Sequence, residues 1–202
     1  MKHVLFDVDG VLIDGFNADP SKRVLWTRDL EEDLGLSVDL LEEVFFQKFF
    51  PSIILGKVSL EDGLSDFLTQ IGSTLLAEDV IEYWLEKDSC INEDALSLAR
   101  NLLKKGCVVH IATNQEHRRA KYLWEKLGFN KSFSNIFYAA DLGVAKPNVE
   151  FFEKVLFLLN VKASDVCLID DSPENICVVE KLGMTGIIFD TSDGVKDHPF
   201  FE

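Results

Sequence analysis

Val4-Leu5-Phe6-Asp7-Val8-Asp9-Gly10-Val11-Leu12-Ile13-Asp14 is a short apolar run that breaks into two carboxylates and a glycine. Such a run reads as a buried parallel strand whose C-terminal end opens into a site. Carboxylates two positions apart repel one another and lose solvation when partly buried, so folding alone gives no reason for the pair. A cation or a chemical task does. Taken by itself the stretch also reads as an acidic turn after a strand; three later stretches weigh against that.

Working outward, Gly15, Asn17, Asp19 and Pro20 mark a connection, and helical periodicity then holds to about Glu86. The pattern predicts helices over 21–34 with Gly35 as terminator, 38–50 with Pro51 after it, 59–71 and 77–86. Ser59 with Asp62 forms a capping pattern, and Gly72 closes that helix. No strand is predicted in this region. From Asn92 the chain alternates: helix to Gly106, strand 107–112, helix to Gly128, strand 136–139, helix from Pro147, strand 166–169, helix 173–182 and strand 185–189. Alternation of this kind predicts a parallel sheet with helices on both faces. The expected architecture is therefore α/β: a Rossmann-like, doubly wound core of residues 1–14 and 89–202, with a small α-helical cap domain, 15–88, inserted after the first strand. The tail after Asp190 carries no pattern.

At 202 residues and 47% hydrophobic content the chain can bury a full core. Its formal charge of −15 argues against nucleic acid or an anionic membrane surface as partner. Cys90, Cys107, Cys167 and Cys177 lack CxxC spacing, which fits reduced residues and no zinc site. The first apolar stretch is too short and acidic for a signal peptide, and no run is long enough to span a bilayer. A soluble, cytoplasmic protein is expected. The sequence is silent on its oligomeric state.

Ligands of an open parallel sheet bind at the carboxyl ends of the strands. There the sequence places Asp7 and Asp9, then Thr113-Asn114, then Lys146-Pro147, then Asp170-Asp171-Ser172. This set suits phosphoryl transfer to a carboxylate. Asp7, Asp170 and Asp171 offer the oxygen ligands that Mg2+ prefers. Lys146, the single cation in the set, can neutralise the transferring group, and the Thr113 hydroxyl can bind its oxygens. Asp9, turned away from Asp7, is the candidate general acid/base, on condition that its surroundings let it hold a proton.

These four ordered stretches, ending in Asp170-Asp171-Ser172-Pro173-Glu174-Asn175, resemble the motifs of the haloacid dehalogenase superfamily of hydrolases. The helical insertion resembles the subfamily containing small sugar-phosphate phosphatases. The resemblance implies a phosphoric monoester hydrolase in which Asp7 is the nucleophile and Asp9 the acid/base, the latter also a metal ligand through its backbone carbonyl. Asp171 is the principal ligand of the last motif, Asp170 assists, Thr113 and Asn114 bind phosphoryl and substrate, and Lys146 neutralises charge. Asn175 departs from the pattern, standing where many members carry a second acid.

The expected activity is Mg2+-dependent hydrolysis of a small phosphorylated metabolite, a sugar phosphate or similar, through a phosphoaspartate. A phosphomutase would use the same core. Dehalogenation needs neither cation nor leaving-group acid, and a phospho-acceptor signalling domain would carry its acceptor on a middle strand of the sequence. His110 reads as a satisfied core residue. Val44-Phe45-Phe46 with Phe49-Phe50 reads as core of the cap, and Trp26, Arg28 and Lys57 carry no assignment.

Overall fold

The structure is a computed structural model and describes residues 1–201. Among the described residues there are seven strands: β1 (His3–Phe6), β2 (Ile13–Asp14), β3 (Cys90–Ile91), β4 (Val108–Thr113), β5 (Ile136–Tyr138), β6 (Val166–Asp170) and β7 (Thr185–Ile188). Five form one parallel sheet in the order β5-β4-β1-β6-β7. The central strand, β1, pairs with β4 on one side and β6 on the other. The chain runs outward from β1 to β4 and β5, then crosses back to β6, so the winding reverses at β1. A crevice opens at such a reversal.

Both faces of the sheet are covered, which is why its strands are apolar along most of their length. Val4 and Phe6 pack with Val109, Ile111 and the helix Glu93–Lys104, while Leu5 packs with Leu168 and the helices Val149–Leu159 and Pro173–Lys181. The helices between residues 30 and 85 gather around their own centre at Phe45, Leu64, Phe67 and Trp84. The chain enters and leaves this segment through β2 and β3, which pair antiparallel, Ile13 opposite Ile91.

Local signals account for most boundaries. The Ser59 hydroxyl accepts from Asp62 N at 3.0 Å, and Asn92 caps the next core helix through Ala95 N. Besides shifts of a residue or so at strand ends, three boundaries depart from the expectation. The helix expected over 21–34 is broken: Pro20–Lys22 and Trp26–Asp29 are 3-10 turns, and only Leu30–Leu34 is α-helical. Val24 N donates to the Gly15 carbonyl instead, holding the chain extended there. The second helix does not stop before Pro51 but runs on to Ile53, because wide π-type turns over Leu41–Phe49 let Phe50 N reach the Phe45 carbonyl and make room for the proline. Pro147 lies ahead of its helix, which starts at Val149 with Asn148 as cap.

The tail is structured: Ser192–Lys196 is helical, and Val195 and Phe201 join the core. His110 is satisfied by His3 and Asn135, each at 3.0 Å. All four cysteines are free thiols, with Cys107 and Cys167 buried. Among the described residues no helix is long and apolar enough to cross a membrane.

Candidate active site

Asp7 follows the last residue of β1, and its backbone N–H still donates to the Ile169 carbonyl, so the sheet fixes its position. Thr113 ends β4, Asp170 ends β6, and both strands flank β1. The topology thus delivers the expected residues to one edge. They line a cavity of about 510 Å³ that holds Asp7, Asp9, Thr113, Lys146 and Asp171, and Phe50 and Ile54 of the helical segment close its far side.

Lys146 is buried and its Nζ lies 2.9 Å from Asp7 Oδ1 and 2.7 Å from Asp170 Oδ2. Burial works against its charge, but the Asp170 and Asp7 carboxylates overcome that and push the ammonium group up. Asn114 lines the cavity, and its amide is also engaged with the loop that carries Lys146. Its Oδ1 accepts from Lys146 N at 2.8 Å and its Nδ2 donates to Lys146 O at 2.9 Å, so the side chain clamps the backbone that presents the lysine.

Asp170 accepts from Ser172 N, from Lys146 Nζ and, on both oxygens at 2.9 Å, from Asn175 Nδ2. Here Asn175 finds a role: an acid in its place would face Asp170 with like charge, whereas the amide donates. Asp171 points the other way, accepting from Ala18 N at 2.6 Å. A β-carbon on Gly10 would stand 2.2 Å from Asp171 Oδ2, and Gly10 has φ +80°, so glycine is demanded twice over.

One oxygen from each of Asp7, Asp170 and Asp171 lies within 4.8 Å of the others. Burial first, and then Asp170, push the Asp7 carboxyl well above the ordinary carboxylate range; burial also raises Asp171. Crowded, desolvated hard-oxygen donors of this kind fit a divalent cation.

Asp9 has partners that the sequence reading did not foresee. Arg119 Nη2 lies 2.8 Å from Asp9 Oδ1 and Nη1 lies 3.0 Å from Oδ2, while Gln115 Nε2 donates to Oδ2 at 2.7 Å. The same Nη2 reaches Asp88 Oδ2 at 2.9 Å, where the helical segment ends. Lys146 is therefore not the single cation of the site. Burial opposes the Arg119 charge, but Asp9 and Asp88 overcome it and push the guanidinium up. The signal was present: Arg119 shares a helical stripe with Leu123 and Leu127, where a charge needs a buried partner. Buried Glu116 caps that helix, accepting from the backbone N–H groups of Arg118 and Arg119. Arg28 and Lys57 are exposed, and Arg28 pairs with Asp29.

A doubly wound sheet with carboxylates, a buried lysine and a threonine at its winding reversal defines a hydrolase-type α/β enzyme site. The sequence profile of the haloacid dehalogenase-like hydrolases matches residues 1–180, and the chain belongs to that family. It is 28% identical over 194 residues to a sesquiterpene phosphatase of Aspergillus oryzae, covering 92% of this chain and 88% of that one. It is 24% identical over 201 residues to a phosphorylated carbohydrates phosphatase of Thermotoga maritima, covering 96% and 88%. A family enzyme from Bacteroides thetaiotaomicron, solved with magnesium and inorganic phosphate, shares the fold at TM-score 0.75 and 18% identity over 95% of each chain.

Proposed function

We propose that this protein is a magnesium-dependent phosphomonoesterase that works through a phosphoaspartate on Asp7. The observation that carries the reading is the Asp7 carboxylate at the end of the central strand, 2.9 Å from Lys146 Nζ and within 4.8 Å of a second and a third acid. Asp7 and Asp171, with the Asp9 backbone carbonyl, would hold Mg2+. Asp170, whose oxygens already accept from Lys146, Ser172 and Asn175, would assist by adding negative charge beside the ion. When bound, the cation neutralises the phosphoryl oxygens and lets a carboxylate approach a phosphate.

In the first step an Asp7 oxygen attacks phosphorus, the ester P–O bond breaks, and protonated Asp9 gives its proton to the departing oxygen, which leaves as the alcohol. Lys146 stabilises the charge on the transferring group, and the Thr113 hydroxyl donates to one of its oxygens. In the second step water attacks the same phosphorus, its proton passes to Asp9, and Asp7 is released with inorganic phosphate. In the Arg119 fork Asp9 only accepts hydrogen bonds, so donating a proton to the leaving alkoxide requires its carboxyl to come out of that fork. Residues 15–88 serve as a cap: Phe50 and Ile54 already close one side of the phosphoryl cavity. One relative is named for a sesquiterpene and another for phosphorylated carbohydrates, which supports a small phosphomonoester as the substrate.

The test is intact-protein mass after mixing with an activated aryl phosphate and magnesium. A phosphoryl adduct on the peptide carrying Asp7, absent in Asp7→Asn, is expected. An adduct on another residue would falsify the assignment.

A further inference from the structure

Beyond Asp9 a second cavity of about 470 Å³ opens between the helical segment and the strand ends. Asp9, Phe16, Phe50 and Asn114 line both this chamber and the phosphoryl cavity, so the two adjoin. Its wall is aromatic. Trp26 stacks on Trp84 with centroids 5.0 Å apart, and Phe46 and Phe50 meet Trp84 at 5.7 and 6.0 Å. Phe45 of the same stretch is core, but Phe46 and Phe50 face this space, so the stretch is only partly the packing that its sequence suggests.

The polar groups around the chamber are largely engaged with one another. Arg119 serves Asp9 and Asp88, and Gln115 Nε2 also donates to Asp9. Trp84 Nε1 donates to Asp88 at 3.0 Å. Arg23 donates to the Asn17 carbonyl and lays its guanidinium 4.3 Å from the Phe16 centroid. A polyol entering here would surrender its water and meet ring faces, with the Thr27 hydroxyl and the exposed Glu42 as the remaining polar lining beside Asn114. A hydrocarbon has no hydrogen bonds to surrender and would bury its surface against five aromatic side chains, Phe16, Trp26, Phe46, Phe50 and Trp84.

We infer that the chamber receives the leaving group of the substrate and selects an apolar one, an alkyl or alicyclic phosphomonoester, over a sugar phosphate. The inference rests on the phosphomonoesterase reading and narrows it. Phe16, half-exposed at the junction, is a specificity-determining residue: its ring meets the first carbons beyond the ester oxygen.

The test uses n-alkyl phosphates from methyl to octyl, with glucose 6-phosphate and glycerol phosphate beside them. The expected kcat/KM rises by about fourfold per methylene until the chamber fills, and both polyol esters fall near methyl phosphate. Phe16→Ser, a change at a surface position, should lower the hexyl-to-methyl ratio by about tenfold, the worth of one to two methylenes. In parallel, non-hydrolysable methyl- and hexylphosphonate are titrated in magnesium, with the fluorescence of Trp26 and Trp84 as reporter. Tighter binding of hexylphosphonate with no turnover of any ester upholds the chamber and rejects the phosphatase reading. Turnover that is flat in chain length, or faster on glucose 6-phosphate than on hexyl phosphate, overturns the inference and leaves the phosphatase reading standing.

Discussion

The guanidinium of Arg119 grips both carboxylate oxygens of Asp9, at 2.8 and 3.0 Å, and with the same Nη2 holds Asp88 at the exit of the helical segment. One buried cation therefore ties the candidate acid/base to the point where the chain leaves the helical segment. Arg119→Met leaves two acids facing each other with no cation, and should cost about 3–5 kcal/mol of stability. Adding Asp88→Asn should recover part of that loss. Arg119→Lys keeps the charge but loses the fork; displacing Asp9 by about an ångström should lower kcat by ~10²-fold with little change in KM. Urea unfolding of the single and double variants, with steady-state kinetics on Arg119→Lys, checks both statements.

Magnesium should act on stability as well as on turnover. Chelator should abolish hydrolysis, and adding Mg2+ at about a hundred times its Kd should raise the unfolding free energy by about 2.7 kcal/mol through binding to the folded state alone. In Asp171→Asn the thermal shift should vanish at the same concentration while the metal-free protein still unfolds cooperatively. Full activity in excess chelator, with halide released from a haloacid, would instead mark a dehalogenase.

Asp7→Asn should lose all phosphoryl transfer and yet gain stability without metal. The Asp7 carboxyl is raised in the folded state, burial being the first cause and Asp170 the next, so its ionised form costs stability at every pH well above the unfolded carboxylate value. A neutral amide removes that cost, and ~1–2 kcal/mol is the expected gain in a metal-free melt, the scale of a functional site's stability trade-off. A variant that melts lower than the parent contradicts this account of the crowding.

His110 gives the pH dependence. Burial, and then the facing His3, lower it from 6.5 to about 4, and the Asn135 amide donates to its Nδ1, so the neutral ring donates from Nε2 to His3. The unfolded chain takes up this proton first, so stability falls as pH drops from about 6.5 toward about 4 and is unaffected by this group above that window. Between pH 7 and 5 the urea midpoint should decline less steeply in His110→Gln than in the parent.

Strand ends were where the sequence was most legible. Asp7, Thr113 and Asp170 each follow or end a largely apolar run, and alternation makes the sheet parallel, so their convergence on one edge could be read without coordinates, although the strand order could not. The Asn114 clamp on Lys146 could not, because residues 32 apart met through loop geometry that no periodicity encodes. Arg119 was hidden differently: a helix stripe shows that a charge is buried but does not name its partner. The break at Val24 came from a hydrogen bond to Gly15, a tertiary contact that overrode local helical spacing.

The short ribbon of β2 and β3 has a consequence for ancestry. Asp14 and Cys90 are directly paired, and Asn92 Nδ2 donates to Asp14 at 3.0 Å, so both cut ends of the insertion are pinned side by side by the core itself. Closing a longer or shorter segment between pinned ends changes the chain entropy only logarithmically, about 0.6 kcal/mol for each doubling of length. The core is thus a socket. Helical cassettes of different size and lining can be exchanged there by recombination while the sheet and its carboxylates stay as they are, which lets one chemistry be re-addressed to new leaving groups without refashioning the enzyme that performs it.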